Sequence, residues 1–197
     1  MKTIRLAELA DARGVAEIYA PSVEGSPISF ETAVPTAQEM EGRIAAALTF
    51  APWLVCVGAE RVEGYAYASR HHERAAYRWS VDVSVYVREG CRRAGVGRAL
   101  YAALLALLRM QGFCAAHAGI TLPNEASVGL HESFGFRPVA VYPSVGFKCG
   151  VWHDVGWWQL ELRDRSGEPA PTSSMAVLRR SGQWDEAIAV GRALLSR

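Results

Sequence analysis

A glycine-rich loop between an alternating strand and a long apolar helix is the feature that most constrains this chain. Residues 79 to 87 alternate four valines with Asp82, Ser84 and Tyr86. This period of two predicts a strand with one face in the core and the other toward something polar. Residues 97 to 111 are apolar on most of a helical surface, and Gly112 is the expected end of that helix. The chain must therefore accommodate a strand, a tight turn and a helix in immediate succession.

The loop itself predicts a binding site for a diphosphate. It consists of Arg92, Arg93, Ala94, Gly95, Val96, Gly97 and Arg98. The two glycines remove the Cβ atoms that would keep a diphosphate away from the main chain, and the first N–H groups of the helix are free to bind an anion. The arginines add charge-assisted hydrogen bonds. The sequence lacks the Gly-Lys-Ser/Thr of a nucleotide P-loop and the third glycine of a dinucleotide fingerprint.

The remaining segments predict a mixed sheet flanked by helices. Further strands are expected at 3 to 6, 53 to 59, 62 to 69, 115 to 121, 139 to 147 and 155 to 162. Asp11 is the expected N-cap of a helix that runs through Tyr19 and is ended by Pro21. Thr36 and Glu39 form a capping box for a helix to about residue 49. Asn124 caps a helix that ends near Gly135. The order β, α, α, β, β, β, α, β, α, β, β indicates the α/β (α+β) class.

The composition changes after residue 163. We expect one domain over residues 1 to 163, followed by a linker and a C-terminal helical extension over 164 to 197, with an amphipathic helix at 184 to 195. The sequence leaves open whether this tail docks on the domain, docks on a second subunit or is mobile.

Composition excludes several classes of protein. Lys and Arg total 21 against 20 Asp and Glu among 197 residues, so no overall basic field exists to hold nucleic acid or an anionic membrane. No apolar run is long enough to span a bilayer. The four cysteines stand far apart, without the spacing of a zinc site or a redox dithiol. We therefore expect a cytoplasmic protein with free thiols, and neither nucleic acid nor membrane as a partner.

Taken together, these segments resemble the Gcn5-related N-acetyltransferases (GNAT), and within them the phosphinothricin and methionine sulfoximine N-acetyltransferases. The glycine loop fits their pattern Arg/Gln-x-x-Gly-x-Gly/Ala. Further matching segments are Pro52-Trp53-Leu54-Val55, Gly64-Tyr65-Ala66-Tyr67-Ala68, Trp79-Ser80-Val81-Asp82, Leu122-Pro123-Asn124-Glu125, Leu130-His131-Glu132 and Trp152-His153-Asp154-Val155-Gly156. The resemblance implies a mostly antiparallel seven-stranded sheet with about four helices, acetyl-CoA as co-substrate, and a homodimer.

The resemblance also assigns catalytic candidates. Asp82 matches the position of the proposed general base, where the family usually has glutamate; a solvated strand carboxylate without a role is the alternative. His131 occupies the position of a residue that protonates the coenzyme A thiolate in many members. A helix histidine without a role explains it equally well.

Binding residues follow in the same way. Acetyl-CoA is expected to contact the glycine loop, the backbone of Val85, Tyr86 and Val87, and the side chains of Asn124 and Ser127. For the carboxylate of an amino-acid acceptor the candidates are Arg70 and Arg74, with Phe30 and Tyr77 as walls. The tryptophans Trp152, Trp157 and Trp158 are expected to pack the last two strands. The run His71-His72-Glu73 contains metal-ligand types, but adjacent histidines are expected to point apart, and no metal is predicted.

The sequence thus predicts an acetyl-CoA dependent N-acetyltransferase acting on the α-amino group of a small amino-acid analogue: phosphinothricin, methionine sulfoximine or methionine sulfone. Direct transfer in a ternary complex is expected, because no cysteine or serine is placed with a base to form an acyl enzyme. Two alternatives stay open. The acceptor is another small amine, or the protein is a non-catalytic module that binds acyl-CoA.

Overall fold

The computed structural model describes residues 2–59 and 61–195. This part of the chain forms a seven-stranded sheet: β1 (Thr3–Leu6), β2 (Trp53–Val57), β3 (Val62–Arg70), β4 (Ser80–Val87), β5 (Ala115–Leu122), β6 (Arg137–Lys148) and β7 (Val151–Glu161). Their order across the sheet is β1-β2-β3-β4-β5-β7-β6. The pair β4 and β5 is parallel, and the other pairs are antiparallel. The predicted mixed, mostly antiparallel sheet of seven strands is confirmed.

The same residues contain six helices: α1 (Ala12–Glu24), α2 (Ala37–Phe50), α3 (Val96–Gln111), α4 (Glu125–Ser133), α5 (Met175–Arg180) and α6 (Trp184–Leu195). The capping box at the start of α2 is present, with Thr36 accepting from the Glu39 N–H at 3.2 Å. Gly112 ends α3 in the left-handed conformation, with φ 91°. Asn124 caps α4 by accepting from the Ser127 N–H at 3.1 Å. These capping predictions are confirmed.

The prediction that Pro21 ends the first helix is wrong. The helix α1 contains Pro21 and continues to Glu24. Proline removes one helical hydrogen bond and crowds the preceding turn. Ser22 and Val23, which follow it, are nevertheless buried, so that packing of this last turn outweighs the local penalty.

Two apolar layers enclose the sheet. On one face, α1 and α2 pack against Trp53, Val55 and Tyr65. On the other face, α3 packs against Leu54, Ala66, Val81 and Val83, in the larger cluster. Alternation along β4 therefore turns Val81 and Val83 toward α3. It turns Asp82, Ser84 and Tyr86 toward the side of α1 and α2, where Tyr86 contacts the smaller cluster.

The tail docks on the domain. Met175, Leu178, Ala187 and Ile188 are buried in the same apolar cluster as α3. Gly191 allows α6 to approach α3 closely, because a Cβ there would lie 2.9 Å from the Cβ of Ala103. The short helix α5 was not predicted. The division of the chain at residue 163 stays a prediction, and residues 1, 60, 196 and 197 of the two predicted ranges lie outside the described residues. None of the described helices has the length and apolarity needed to cross a bilayer.

Candidate active site

The glycine loop between β4 and α3 has the backbone shape of an anion cradle. Arg93 and Gly95 adopt left-handed φ angles of 61° and 77°. The first hydrogen bond of α3 runs from the Ala99 N–H to the Gly95 carbonyl at 2.9 Å. The N–H groups before Ala99 therefore form no hydrogen bond within the helix and are available to an anion, which the positive end of the helix dipole also attracts.

Positive charge surrounds this cradle. Arg92, Arg93 and Arg98 are all exposed. Arg98 donates to Ser133 Oγ at 3.3 Å, and no carboxylate among the described residues pairs with the three arginines. The last turn of α6 also reaches the loop, because a Cβ on Gly95 would lie 3.1 Å from the Leu194 carbonyl oxygen.

A cleft opens where β4 and β5 separate. The two strands pair only over Ser80–Asp82 and Ala115–His117, although both continue further. Beyond Asp82 the edge of β4 that faces β5 has no strand partner, so its N–H and C=O groups can bind another extended molecule. The cleft is lined by His131 and by four of the residues predicted to bind acetyl-CoA, which are Val85, Tyr86, Asn124 and Ser127. Val87 does not line it.

Asp82 is the last residue of β4 that pairs with β5, directly before Val83 and Ser84 of the cleft wall, and it forms a pair with His71. His71 Nδ1 is 2.7 Å from Asp82 Oδ1, and the two side chains are 17% and 30% exposed. Burial raises the pKa of the Asp82 carboxyl above its ordinary value, while the hydrogen bond from His71 opposes this rise. Asp82 is therefore not a freely solvated strand residue.

His117 completes a group of rings around this pair. It is the parallel-register partner of Asp82 on β5, and its ring stacks on His71 with centroids 4.2 Å apart and planes 14° apart. Burial lowers the pKa of His117 to about 4, and the charge of a protonated His71 adds to the effect. His117 is thus neutral at physiological pH.

His131 is buried and fully hydrogen-bonded. Its Nδ1 is 2.7 Å from the Ser127 carbonyl oxygen, and its Nε2 is 2.9 Å from the Tyr101 hydroxyl. A carbonyl can only accept, so Nδ1 carries the proton and Nε2 accepts from Tyr101. Burial lowers the pKa of His131, against a smaller raising effect of the Ser127 carbonyl. The ring is a neutral wall of the cleft, and a catalytic role would require it to exchange one of these partners.

A second cleft of about 570 Å³ lies between α2 and the sheet. Its walls include three residues of β3: Tyr65, Tyr67 and Ser69. Their cross-strand partners on β4 are, in the same order, Tyr86, Ser84 and Asp82. Residues that pair across two strands lie on the same face of the sheet, so the wall of this cleft and Asp82 share one face. Trp53 stacks on Tyr67 with ring centroids 4.2 Å apart. The cleft thus has an aromatic floor beside the strand that carries Asp82.

Two arginines line this second cleft. Arg70 stacks over the Phe50 ring at 4.3 Å and forms no ion pair among the described residues. Arg43 was not predicted from the sequence, and it forms a bidentate pair with Glu31 at 2.7 and 2.8 Å. The charge of Arg43 is therefore already balanced.

The other predicted substrate residues are dispersed. Tyr77 contacts the His71 ring, with centroids 5.9 Å apart. Phe30 lies against Gly146 of β6 and lines a smaller neighbouring cavity together with Glu31 and Arg43. Arg74 is exposed in the loop before β4 and lines neither cleft. The structure thus brings Tyr77 to the Asp82 group and Arg70 to the second cleft, but it does not gather all four.

The expectation that the rings of His71 and His72 point apart is wrong. Their centroids are 4.5 Å apart in an edge contact, and both rings contact Tyr77. The three tryptophans lie on β7, as expected for rings that pack the last two strands. Trp158 is buried, the Trp157 ring is 6.0 Å from that of Tyr142 on β6, and Trp152, although 63% exposed, has its ring 5.4 Å from that of Phe147 on β6. Within the described residues no group of three His, Cys, Asp or Glu side chains could hold a metal ion.

His71 and His117 lie beside Asp82, although the sequence did not identify them as members of the site. Strand register is the signal that could have identified His117, because the parallel pairing places it beside Asp82. No comparable signal exists for His71, whose contact with Asp82 depends on how the chain turns after Arg70.

Comparisons with known proteins agree with this arrangement. A profile of the acetyltransferase (GNAT) domain matches residues 4–157. The chain is 40% identical over 159 residues to phosphinothricin N-acetyltransferase of Streptomyces viridochromogenes. That match covers 81% of this chain and 87% of the Streptomyces protein. It is 34% identical over 169 residues to the L-methionine sulfoximine/L-methionine sulfone acetyltransferase of Salmonella typhimurium. That match covers 85% of this chain and 99% of the Salmonella protein.

The fold is also similar to a solved structure with a bound ligand. A GNAT superfamily phosphinothricin acetyltransferase from Sinorhizobium meliloti, in complex with acetyl-CoA, superimposes with a TM-score of 0.82 at 32% identity. The match covers 86% of this chain and 93% of that one. The whole tail, from residue 164 onward, lies beyond the residues that the domain profile matches.

Proposed function

The chain belongs to the GNAT acetyltransferase family, and on that premise we propose that it acetylates the α-amino group of a small amino-acid analogue. The proposed acceptors are phosphinothricin, methionine sulfoximine and methionine sulfone, after the names of its relatives. The observation that carries the proposal is the end of the β4–β5 pairing at Asp82. It leaves a cleft along β4 from Val83 to Tyr86, with Asp82 next in the strand on one side and the loop of the anion cradle following the strand on the other.

The residues present fit acetyl-CoA. Its diphosphate would lie on the loop from Arg92 to Arg98, where left-handed Gly95 opens the backbone and where the three arginines pair with no carboxylate of residues 2–59 and 61–195. Its pantetheine amides would pair with the free edge of β4 at Val85 and Val87, beside Asn124 and Ser127. Bound there, it supplies an acetyl thioester. One free N–H of β4 would stabilise the oxygen that becomes negative during transfer.

The second cleft would hold the acceptor. Its aromatic floor suits the carbon chain of an amino-acid analogue, and Arg70 supplies a positive charge that no carboxylate among the described residues neutralises. Arg74 and Phe30 do not line this cleft, and their loops would have to close over it for either side chain to contact the acceptor. Asp82, on the same face of the sheet, supplies a carboxylate that can take up the proton of the acceptor ammonium, directly or through a bridging group.

Direct transfer is the proposed route. An acyl enzyme needs a nucleophile next to a base. Cys56 is buried, and burial raises the pKa of its thiol to about 11. None of the described cysteines forms a contact with Asp82 or His71. His131 stays a candidate for protonating the departing thiolate, from the cleft wall that it shares with Tyr101.

We also propose a cytoplasmic homodimer. Four unpaired cysteines suit a reducing compartment. The edge strand β6 and the start of β7 expose large apolar side chains, with Val141, Phe147 and Trp152 at 54%, 60% and 63% exposure. An exposed apolar sheet edge favours association. Sedimentation equilibrium of the wild type and Trp152→Glu tests the dimer, and an unchanged monomer in both would contradict it.

Mass spectrometry of the acceptor tests the proposed activity. Purified protein is incubated with acetyl-CoA and, separately, with the three analogues, ordinary amino acids, a polyamine and an aminoglycoside. We expect a mass gain of one acetyl group on the analogues alone. Acetylation of a different amine would replace the proposed acceptor, and tight acetyl-CoA binding without any acetylated amine would favour the non-catalytic binding module.

A further inference from the structure

We propose that His71 accepts the proton from the acceptor ammonium group, and that Asp82 holds His71 in the orientation this requires. The inference rests on the proposed function, because it names the proton acceptor of that reaction. Its starting point is the contact of 2.7 Å between His71 Nδ1 and Asp82 Oδ1.

The contact fixes which nitrogen of His71 can accept a proton. With Asp82 ionised, its oxygen can only accept, so Nδ1 of His71 carries the hydrogen. The lone pair of the neutral imidazole is then on Nε2, on the opposite side of the ring from the carboxylate. Among the described residues, Nε2 has no hydrogen-bond partner. The pair thus presents a free proton acceptor with a negative charge behind it, as in a carboxylate–histidine base.

The surrounding rings hold His71 in place and tolerate its charge. It stacks on His117 of β5, and contacts His72 and Tyr77 of its own loop and Trp157 of β7. Because burial holds the pKa of His117 near 4, that ring stays neutral at assay pH. An imidazolium at His71 therefore faces one negative charge, from Asp82, and no positive charge from the ring stacked on it.

The arrangement also explains how a short carboxylate serves at this position. Asp82 is one methylene group shorter than the glutamate usual in the family. Its side chain is only 30% exposed, and one of its oxygens is engaged by His71. A histidine on the carboxylate extends the reach of the base by the width of a ring.

The proton moves from the acceptor nitrogen to Nε2 of His71. One N–H bond of the acceptor ammonium breaks, and its electron pair stays on nitrogen as the lone pair that attacks the thioester. The proton forms a new N–H bond at Nε2 of His71, giving an imidazolium that hydrogen-bonds to the Asp82 carboxylate. His71 returns this proton to solvent after transfer.

His71→Gln is the sharpest test. The glutamine amide can still donate to Asp82, so positioning is largely retained, but it has no group that can take up a proton. Arg78→Gln is the matched control, because it changes an exposed side chain of the same loop that stacks on Trp79 rather than on His71. We expect kcat/KM for the acceptor to fall by roughly 100- to 1,000-fold in His71→Gln. It should stay within about two-fold in Arg78→Gln, and acetyl-CoA affinity should be retained in both.

Two pH titrations separate a proton acceptor from a structural residue. In the wild type, nitrogen NMR of the imidazoles should give a midpoint for His71 that coincides with the acid limb of kcat/KM. The Nε2 signal should be that of an unprotonated nitrogen above the midpoint. In Asp82→Asn the Nδ1–H preference should be lost, and in His71→Gln the acid limb should disappear or move toward the carboxylate range.

The outcomes distinguish this inference from the proposed function. A wild type that acetylates no amine would overturn the proposed function and this assignment with it. An active wild type whose His71→Gln variant keeps both the rate and the acid limb would overturn the assignment alone and leave Asp82 as the direct base. Loss of acetyl-CoA binding in His71→Gln would also overturn the assignment, because it would show that His71 maintains the structure of the site rather than accepting a proton.

Discussion

His117 makes the stability of this protein depend on pH between neutrality and about pH 4. Burial lowers the pKa of His117 to about 4 in the folded chain, from the ordinary value of 6.5, with the charge of His71 as the second cause. The unfolded chain therefore binds a proton that the folded chain resists. The contribution of His117 is largest above pH 6.5, and it is lost progressively as the pH falls from 6.5 toward 4.

The magnitude follows from these two values. Linkage between a folded pKa of about 4 and an unfolded pKa of 6.5 gives a loss of about 2.4 kcal/mol between pH 7 and pH 4.5. The ring is partly exposed, so solvent screening reduces this by about half. We therefore expect His117 to account for about 1 kcal/mol of the loss in unfolding free energy.

Urea denaturation at pH 7 and pH 4.5 measures this contribution, with the wild type compared with His117→Phe. Phenylalanine keeps an aromatic ring against His71 but does not titrate. The wild type should lose about 1 kcal/mol more than the variant between the two pH values, because only the wild type has at position 117 a ring that takes up a proton in the unfolded chain and resists it in the folded chain. Equal losses would refute the argument that His117 is held neutral.

Three further substitutions test the cradle, the cleft wall and the tail. Gly95→Ala places a Cβ on a left-handed backbone and close to the Leu194 carbonyl oxygen. We expect the affinity for acetyl-CoA, measured by calorimetry, to fall about ten-fold, which is about 1.4 kcal/mol. Unchanged affinity would contradict the assignment of the loop to the diphosphate. Tyr101→Phe leaves His131 Nε2 buried without a donor, which should lower the unfolding free energy by about 1 to 3 kcal/mol in urea. A variant as stable as the wild type would show that this hydrogen bond is not required. Gly191→Leu cannot fit against α3 and should release α6, exposing buried apolar surface worth at least about 2 kcal/mol. Limited proteolysis should then cut the 164 to 174 linker faster, and unaltered cleavage would refute the docking.

Local sequence rules predict much of the fold because the relevant interactions lie within a few residues. The period of two in β4, the capping box of Thr36 and the glycines around α3 each determine their own segment. Pro21 shows the limit of this reasoning. Its effect on α1 depends on the burial of Val23 by other elements, which no local pattern records.

The candidate site was predictable to the extent that it depends on contiguous residues. The anion cradle is a single loop, and Asp82 is marked by its position in an alternating strand. The His71–Asp82 contact instead joins residues 11 positions apart through the turn after β3. The docking of α6 brings Gly191 against α3, more than 80 residues earlier in the chain. Both depend on the assembled sheet, and so neither could be deduced from spacing.

The role of Asp82 in acetyl transfer is tested most directly by the initial rate of coenzyme A thiol release from acetyl-CoA with methionine sulfoximine, compared between the wild type and Asp82→Asn. We expect rapid release by the wild type and a loss of roughly 100-fold or more in the variant, with acetyl-CoA binding retained. Equal rates in the two proteins would show that the Asp82 carboxylate does not contribute to the transfer.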